Sequence, residues 1–406
     1  MTFRESVPFF VAIAATIPGI LLRVVHPDIS PLLMASLTGL AILGASFMLM
    51  WACEVAQMDI PQTLALAVVA LIAVLPEYAV DMYFTWMAGQ HPESNYAHYA
   101  IANMTGANRL LIGIGWSAIA ILYALRFRKA VQLEEERRSE LLFLALATAY
   151  ALVIPLKGTL EWYDGVILVS LYVWYIRIAS KRPCTDCEVE GPAEALAHLP
   201  RNTRRLTTLG LFLFAAGVIL CDAELFSESL VASGKVLGIN EFLLVQWLAP
   251  IASEAPEFIV AIMFATRGQA SLALGSLISS KLNQWTLLVG MIPGVFAVSS
   301  GSINPPMPMD DHQMHELLLT AAQSLFAVVL LARMRLGLRG ALVLLALFIG
   351  QFAAPLYEPY VENLLGIPHM PDGLHIVYSG LYIALALGMM LYRPGRLLQL
   401  REGLKV

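Results

Sequence analysis

The stretch Ala255-Pro-Glu-Phe-Ile-Val260 and its counterpart Leu75-Pro-Glu-Tyr-Ala-Val80 each place a proline–glutamate pair in the middle of a strongly apolar segment. A carboxylate is costly in hydrocarbon, so a glutamate at this depth is a functional candidate by default. The preceding proline removes a backbone hydrogen bond and is expected to open the helix there. Because this combination occurs twice, 180 residues apart, it predicts one ion site built by two related repeats.

The composition indicates a polytopic membrane protein. The chain has 406 residues, of which 58% are apolar and 14% are charged, and its mean hydropathy is +0.71. No water-soluble globular protein needs that much apolar surface. The formal net charge of −5 indicates no nucleic-acid partner. The expected partners are membrane lipid and small inorganic cations, and the sequence leaves the oligomeric state open.

Apolar windows predict an all-α fold with about twelve transmembrane helices. These spans are placed at 6–25, 32–56, 60–88, 97–126, 140–156, 160–180, 206–232, 240–267, 270–298, 314–333, 338–356 and 373–392. With these spans, 20 of the 25 lysines and arginines lie on the side of the N terminus, and only Arg23, Lys157 and Lys235 lie on the opposite side. The positive-inside rule therefore predicts a plasma (inner) membrane protein with both termini in the cytoplasm.

The two halves of the chain align on their Pro-Glu pairs. Each pair is followed by a second helix rich in small and polar residues, Ala102-Asn-Met-Thr-Gly-Ala-Asn108 in the first half and Gly275-Ser-Leu-Ile-Ser-Ser-Lys281 in the second. The helix with Glu77 is predicted to run outward and the helix with Glu257 inward. The repeats are therefore expected to be inverted and to meet near the membrane midplane.

This alignment predicts five segments of the chain. They are an extra N-terminal transmembrane helix (1–31), a first inverted repeat of five helices (32–180), a cytoplasmic linker (181–205), a second inverted repeat of five helices (206–356), and an extra C-terminal helix with its tail (357–406). The linker is polar and basic and contains several prolines and glycines, which is typical of a loop or a short surface helix.

At these positions the chain resembles the α-repeats of the calcium/cation antiporter superfamily, which includes sodium/calcium and calcium/proton exchangers. That family carries Gly-Thr-Ser-x-Pro-Glu on one helix and Gly-Asn-x-x-Gly-Ser-Asn on the next. The first pattern corresponds here to Ile72-Ala-Val-Leu-Pro-Glu77 and Ala252-Ser-Glu-Ala-Pro-Glu257, and the second to 102–108 and 275–281. The resemblance implies alternating access by sliding of helices 32–56 and 206–232 past a core of four repeat helices.

The resemblance also implies the ion ligands. It assigns ion binding, as metal ligands, to Glu77 and Glu257. Weaker correspondences add the neutral oxygens of Asn108, Ser253, Ser280 and Gln284.

The chain departs from the family pattern at several positions. The two hydroxyl positions of the first repeat are Ala73 and Val74, and one of those in the second repeat is Glu254. The asparagine of the second repeat's later motif is Lys281, and Leu111 stands at a further ligand position. These losses argue against an unaltered set of sodium sites and favour proton coupling.

The chemistry of the predicted site follows from its two glutamates. A hard cation that crosses the membrane exchanges its water for protein oxygens. We expect Glu77 and Glu257 to face each other across the pseudo-twofold axis, with backbone carbonyls freed at the prolines as neutral ligands. The same carboxylates bind protons, so that ions compete for them and exchange becomes possible.

Two further acids lie one turn outward of the glutamates. Asp81 and Glu254 share a helix face with Glu77 and Glu257 respectively, displaced by about 5 Å. The four acids carry a charge of −4, which Arg109 and Lys281 in the second helices reduce to −2. On one interpretation the two bases simply pair with Asp81 and Glu254. On the other, Lys281 releases its proton when a cation arrives, whereas Arg109 is structural on both.

The remaining chemistry-bearing residues give weak signals. Cys184-Thr-Asp-Cys187 with His198 offers too few ligands for a structural zinc site, and incidental loop cysteines are the simpler interpretation. Six histidines on the predicted outer side, which suit either a pH response or solvated loops, lack ligand spacing and are interpreted as loop residues; they are His91, His98, His312, His315, His369 and His375. No phosphate loop, nucleophile triad or cofactor motif is found, so no enzyme activity and no cofactor are predicted.

The sequence therefore predicts a secondary antiporter that exports a hard cation, with Ca²⁺ favoured, against H⁺ or Na⁺. A Na⁺/H⁺ antiporter using the same site is the first alternative. The second is a non-transporting membrane protein, either a sensor or an intramembrane hydrolase. The sequence lacks a cytoplasmic output domain for a sensor, and it lacks Ser-His, paired-Asp or His-Glu-x-x-His chemistry at membrane depth for a hydrolase.

Overall fold

The structure, a computed structural model, describes residues 3–59, 74–181, 191–303, 305–365, 372–392 and 395–404. These residues form helices and four two-residue strands. In chain order the elements are α1 (Phe3–Val25), α2 (Pro31–Ala56), α3 (Leu75–Gln90), α4 (Tyr96–Leu110), α5 (Ser117–Phe127), β1 (Val131–Gln132), α6 (Arg138–Ala151), β2 (Thr159–Leu160), α7 (Trp162–Ala179), α8 (Pro192–Ala197), α9 (Arg201–Leu237), α10 (Glu241–Thr266), α11 (Ala270–Asn283), α12 (Val289–Ser300), β3 (Met307–Pro308), α13 (Asp311–Leu331), β4 (Arg335–Leu336), α14 (Leu338–Leu365), α15 (Gly373–Tyr392) and α16 (Gly395–Gln399).

Within the described residues, ten helical segments are long and apolar enough to cross a membrane. They correspond to ten of the predicted spans, and the two others are 60–88 and 160–180. Helix α3 covers the second part of 60–88, whereas residues 60–73 lie outside the described part of the chain. Helix α7 covers 160–180 but has only 18 residues and includes Asp164 and Arg177. The all-α membrane fold is confirmed, and the count of twelve stays a prediction.

The two Pro-Glu pairs sit differently in their helices. Helix α3 begins at Leu75, so Pro76 lies in its first turn, where a missing N–H breaks no helical bond. Helix α10 continues through Pro256, so the predicted opening of the helix at this proline is wrong. Pro256 removes one hydrogen bond, and a transmembrane helix tolerates this loss when side chains bond to neighbouring carbonyls. The Ser253 hydroxyl lies 3.3 Å from the carbonyl oxygens of both Ala249 and Pro250, one turn before the Ala252 carbonyl that Pro256 leaves without its helical N–H.

The chain forms two compact units. The first comprises Met1–Met87 and Ile176–Pro256, and the second comprises Ala88–Tyr175 and Glu257–Val406. In the first unit, small residues let α1, α2 and α9 approach closely, as is typical of membrane helices. A Cβ atom on Gly44 of α2, for example, would lie 2.6 Å from the carbonyl oxygen of Ala12 in α1. The Phe9 and Trp51 rings meet edge to face beside this contact, with their centroids 4.7 Å apart.

An ion pair joins the end of α2 to the start of α9 in the same unit. Arg204 donates to both carboxylate oxygens of Asp59, at 2.8 and 3.0 Å, and Arg205 donates to one of them at 3.2 Å. The hydrogen bond from Arg204 holds the pKa of the Asp59 carboxyl below its ordinary value. A bidentate pair of this kind fixes orientation as well as distance. These are the two helices that the family resemblance assigns to sliding, and this pair ties them together.

Two short antiparallel strand pairs join loops within the second unit. In the first pair Val131 lies opposite Leu336 and Gln132 opposite Arg335, and in the second Thr159 lies opposite Pro308 and Leu160 opposite Met307. Each pair links a loop of the first predicted repeat with a loop of the second. The predicted spans place β1 and β4 on the cytoplasmic side and β2 and β3 on the outer side. The pairings therefore support the predicted alternation of the chain across the membrane in this unit.

Candidate cation-binding site

Two π-helical segments interrupt the polar second helices of the predicted repeats. Leu111–Trp116 lies between α4 and α5, and Gln284–Leu288 lies between α11 and α12. The first begins three residues after Asn108 and the second three residues after Lys281. Segments of this kind insert an extra residue into a helix and occur frequently at functional sites. Sequence reasoning did not predict them, and their matching positions support a relationship between the two halves.

Glu257 and Ser280 come together in the second unit. Glu257 lies on α10 and Ser280 on α11, and the Ser280 hydroxyl donates to Glu257 Oε2 at 2.8 Å. Both residues are half-buried, so the carboxylate keeps partial access from outside the packed helices. The hydrogen bond fixes the carboxylate and places a hydroxyl oxygen next to it. Carboxylate and hydroxyl oxygens are ligands that hard cations accept.

Lys281 and Asn108 form the second predicted group that the structure brings together. Both side chains are fully buried. The Lys281 ammonium donates to Asn108 Oδ1 at 2.7 Å and lies 3.3 Å from the main-chain oxygen of Asn108. It also lies 4.3 Å from the centre of the Trp285 ring. The amide oxygen that the resemblance assigns to ion binding is therefore occupied by a lysine.

Arg109 has a partner that the sequence did not reveal. Its guanidinium forms a buried ion pair with Glu316 of α13, and each side chain is only 1% exposed. Gln323 donates to the main-chain oxygen of Arg109 at 3.4 Å, and Gln351 donates to Gln323 Oε1 at 3.3 Å. The predicted span 314–333 had put Glu316 at a helix end. In the structure α13 begins at Asp311, so Glu316 is in the second turn.

The capping sequence before α13 was the signal that could have revealed Glu316. The Asp310 carboxylate accepts from the Gln313 N–H at 2.8 Å, and the Gln313 side chain accepts from the Asp310 N–H at 2.8 Å. This reciprocal capping box marks Asp310 as the residue before the helix. With the start of α13 fixed in this way, Glu316 lies within the helix rather than at its end. It is buried, and a buried acid requires a cation.

The other predicted ligands lie in the first unit or on the π segment. Glu77, Asp81 and Glu254 are each at most 2% exposed, and Ser253 is 8% exposed. Glu77 is in the first turn of α3, where the unpaired N–H groups of a helix stabilise a negative charge. Gln284 is fully buried as the first residue of its π segment. The convergence of Glu77 with Glu257, and the ligand roles of all these residues, stay predictions.

No group of three or more His, Cys, Asp or Glu side chains in the described residues is arranged to hold a metal ion. Cys184, Cys187 and His369 lie outside the described residues.

Comparisons with known proteins identify the family to which this fold belongs. The profile of the family described as sodium/calcium exchanger protein matches residues 29–181 and 207–356. The chain belongs to the sodium/calcium exchanger family. The predicted resemblance to the calcium/cation antiporter superfamily is thus confirmed. Members of this family are integral membrane transporters rather than enzymes.

Three relatives of this family member show how far the likeness extends. A crystal structure of an H⁺/Ca²⁺ exchanger, CAX, is 42% identical, covers 99% of this chain and 98% of its own, and superposes with a TM-score of 0.90. The sodium-calcium exchanger NCX_Mj is 20% identical over 79% of this chain and 98% of its own, with a TM-score of 0.53, and shows the fold alone. An uncharacterized membrane protein of Methanocaldococcus jannaschii is 25% identical over 70% of this chain and 82% of its own.

Histidines surround Asp372 in the second unit of this family member. His312 Nδ1 lies 2.6 Å from Asp372 Oδ2, and His375 Nδ1 lies 3.5 Å from both Asp372 Oδ1 and Glu316 Oε1. His315 Nδ1 lies 3.8 Å from Asp372. The interpretation of these three histidines as solvated loop residues is therefore wrong. Burial would raise the pKa of Asp372, but hydrogen bonds from His312 and His375 outweigh it and hold this pKa well below its ordinary value.

We expect the contribution of Asp372 to stability to depend on pH. Because its pKa is lowered in the folded state, its contribution is present above the unfolded pKa of about 3.9 and is lost as pH falls through the folded value. The Asp372→Asn variant should therefore melt at a lower temperature than the wild type at pH 5, and this gap should narrow towards pH 3. Thermal unfolding in detergent from pH 5 to pH 3 measures both the loss at pH 5 and its change with pH.

Asp311→Asn is a matched control because Asp311 is an exposed acid beside the same histidine. It should leave the melting temperature within error of the wild type. A gap for Asp372→Asn that stays constant with pH would contradict the proposed role of the histidine pairing.

Proposed function

We propose that this protein is a secondary active antiporter that exports a hard cation, Ca²⁺ in the first place, in exchange for H⁺ or Na⁺. The observation that carries the proposal is the half-buried Glu257 carboxylate, held by the Ser280 hydroxyl between two helices of an exchanger family member. A carboxylate at this depth is costly unless a charge meets it. The relative at 42% identity is an H⁺/Ca²⁺ exchanger by its description, which supports the choice of cation.

In the proposed mechanism the two glutamates are the metal ligands. Glu77 and Glu257 converge near the membrane midplane and supply two negative charges, which a divalent cation neutralises. Ser253, Ser280 and Gln284 add neutral oxygens around it. Protons bind the same carboxylate oxygens, so loading with one species expels the other. The protein performs no covalent chemistry and requires no cofactor in this cycle.

Asp81 and Glu254 complete the proposed charge distribution. On the predicted orientation of the helices, each of the two acids lies about one helical turn, or 5 Å, closer to the outer side than its glutamate does. A cation that leaves the central site therefore meets a second carboxylate on its way outward. Lys281 offsets part of this charge, whereas the charge of Arg109 is balanced by Glu316.

The repeat organisation is part of the proposal. Two inverted repeats at 32–180 and 206–356 are supported by the two segments of the family match, 29–181 and 207–356. The matching π segments and the two strand pairs that link the halves also support it. The segregation of basic residues supports cytoplasmic termini, and a plasma-membrane location is part of the proposal.

Flux assays in proteoliposomes test the proposed exchange. We expect Ca²⁺ efflux from loaded vesicles when the outside is acidic, because protons then replace Ca²⁺ on the glutamates. A Na⁺ gradient at equal pH should leave the efflux at the level of protein-free vesicles, since the hydroxyls of the first repeat are replaced by Ala73 and Val74.

Two results would redirect this proposal. Efflux driven by Na⁺ alone would make the coupling ion sodium. Movement of Na⁺ driven by a pH gradient, with no Ca²⁺ movement, would instead establish the Na⁺/H⁺ antiporter.

A further inference from the structure

Asn108 and Trp285 hold the Lys281 ammonium in a buried position. This ammonium contacts the amide oxygen of Asn108 at 2.7 Å, the main-chain oxygen of Asn108 at 3.3 Å, and the face of the Trp285 ring at 4.3 Å. Two neutral oxygens and an aromatic face together attract a positive charge. Such an environment suits a single monovalent cation.

The site is built into the helices rather than formed by a flexible side chain. Lys281 and Asn108 are fully buried, and Trp285 is 1% exposed. The Asn108 amide nitrogen donates to the Met104 carbonyl at 2.8 Å, one turn back on α4, which points the amide oxygen at the lysine. Trp285 lies in the π segment that follows Lys281, so the local helix geometry sets the ring beside the ammonium.

Lys281 stands at a repeat position where the family pattern has asparagine. The family pattern has asparagine at the equivalent position of each second helix, and the first repeat retains it as Asn108. An asparagine at 281 would place a second amide oxygen at this point. The lysine places a covalently attached charge there instead.

We propose that Lys281 is a tethered cation, whose ammonium takes the place of an alkali-metal ion beside Asn108 and thereby excludes Na⁺ from this position. An attached charge is present at a very high effective concentration, so dissolved Na⁺ does not displace it. The part of the inference that concerns transport rests on the proposed antiport function. The part that concerns binding does not.

Two variants of Lys281 test the binding. In Lys281→Asn, NaCl should raise the melting temperature in a saturable way relative to choline chloride at equal ionic strength, because a ligand that binds only the folded state stabilises it. The wild type should show no such difference. The double variant Lys281→Asn/Asn108→Ala should lose the response, since one side of the site is gone.

Chemical rescue covers the case in which Lys281→Asn fails to fold. Lys281→Ala leaves room for a small ammonium ion, so methylammonium should raise its melting temperature, whereas the bulkier tetramethylammonium should not. If neither Lys281→Asn responds to Na⁺ nor Lys281→Ala to methylammonium, the tethered-cation assignment is wrong.

Flux in proteoliposomes separates this inference from the proposed function. We expect Lys281→Asn to gain Ca²⁺ efflux driven by a Na⁺ gradient, which the wild type lacks. A wild type that moves no Ca²⁺, together with a Lys281→Asn variant stabilised by Na⁺, would refute the antiport function and leave the tethered cation standing. A wild type that transports Ca²⁺, together with Lys281 variants that gain no response to Na⁺, would support the antiport function and refute the tethered cation.

Discussion

We expect replacement of Glu257 by glutamine to abolish Ca²⁺ flux in proteoliposomes, and we expect the same of Glu77→Gln. Each change removes one of the two charges proposed to neutralise the cation and turns one carboxylate oxygen into an N–H donor that faces it. A loss of at least ~100-fold in the initial rate is expected, because a site that lacks one of its two charges holds a divalent cation much more weakly. The measurement is the initial rate of Ca²⁺ efflux under an inward proton gradient.

Graded controls accompany these two variants. Ser280→Ala removes the hydroxyl 2.8 Å from the Glu257 carboxylate but leaves its charge, so the flux should fall by a smaller factor than in Glu257→Gln. Glu93→Gln changes an exposed loop acid in the second unit and should leave the flux at the wild-type value. A Glu257→Gln or Glu77→Gln variant that folds and keeps half of the wild-type rate would rule out the two-carboxylate site.

We expect replacement of Arg109 by methionine to destabilise the protein by about 3–5 kcal/mol, because it leaves the Glu316 carboxylate buried without its guanidinium. Both side chains are 1% exposed, so water cannot solvate the remaining charge. His375, at 3.5 Å from Glu316, offers only partial compensation. Thermal or denaturant unfolding in detergent measures the loss.

A double-mutant cycle distinguishes the pair from a general packing effect. Arg109→Met/Glu316→Leu replaces both charges by apolar side chains and should be more stable than Arg109→Met alone, since buried pairs are often replaceable by apolar residues at little cost. Arg126→Met, at an exposed position near the end of α5, is the matched control and should change stability little. Additive losses in the cycle would show that the two residues are energetically independent.

The Pro-Glu pairs illustrate how much was predictable from the sequence. A glutamate in the middle of an apolar segment marks membrane depth on its own, because its cost in hydrocarbon does not depend on the fold. The segregation of basic residues predicts the orientation of the spans for a similar local reason, and this orientation stays a prediction. The proline rule was less reliable, since α10 continues through Pro256. Whether a proline opens a membrane helix depends on the side chains that bond to the carbonyls around it.

The partners of the buried basic residues could not be predicted from the sequence. The sequence identified Arg109 and Lys281 as buried bases that need compensation, yet it named neither Glu316 nor Asn108 as their partners. These contacts join residues 207 and 173 positions apart, so they depend on which helices pack together. Similarly, His312 was interpreted as solvated, because its contact with Asp372 forms only when α13 and α15 are adjacent.

The amino-acid sequence by itself determined that this protein is an all-α membrane protein of the exchanger family, with buried acids at matching places in its two halves. Those properties follow from apolar length, local motif and the cost of charge in lipid, and each acts within one segment. The tertiary structure alone decided that Ser280 holds Glu257, that Lys281 occupies the oxygens of Asn108, and that Glu316 neutralises Arg109. A buried charge requires some partner, but only the packing of distant helices selects which one.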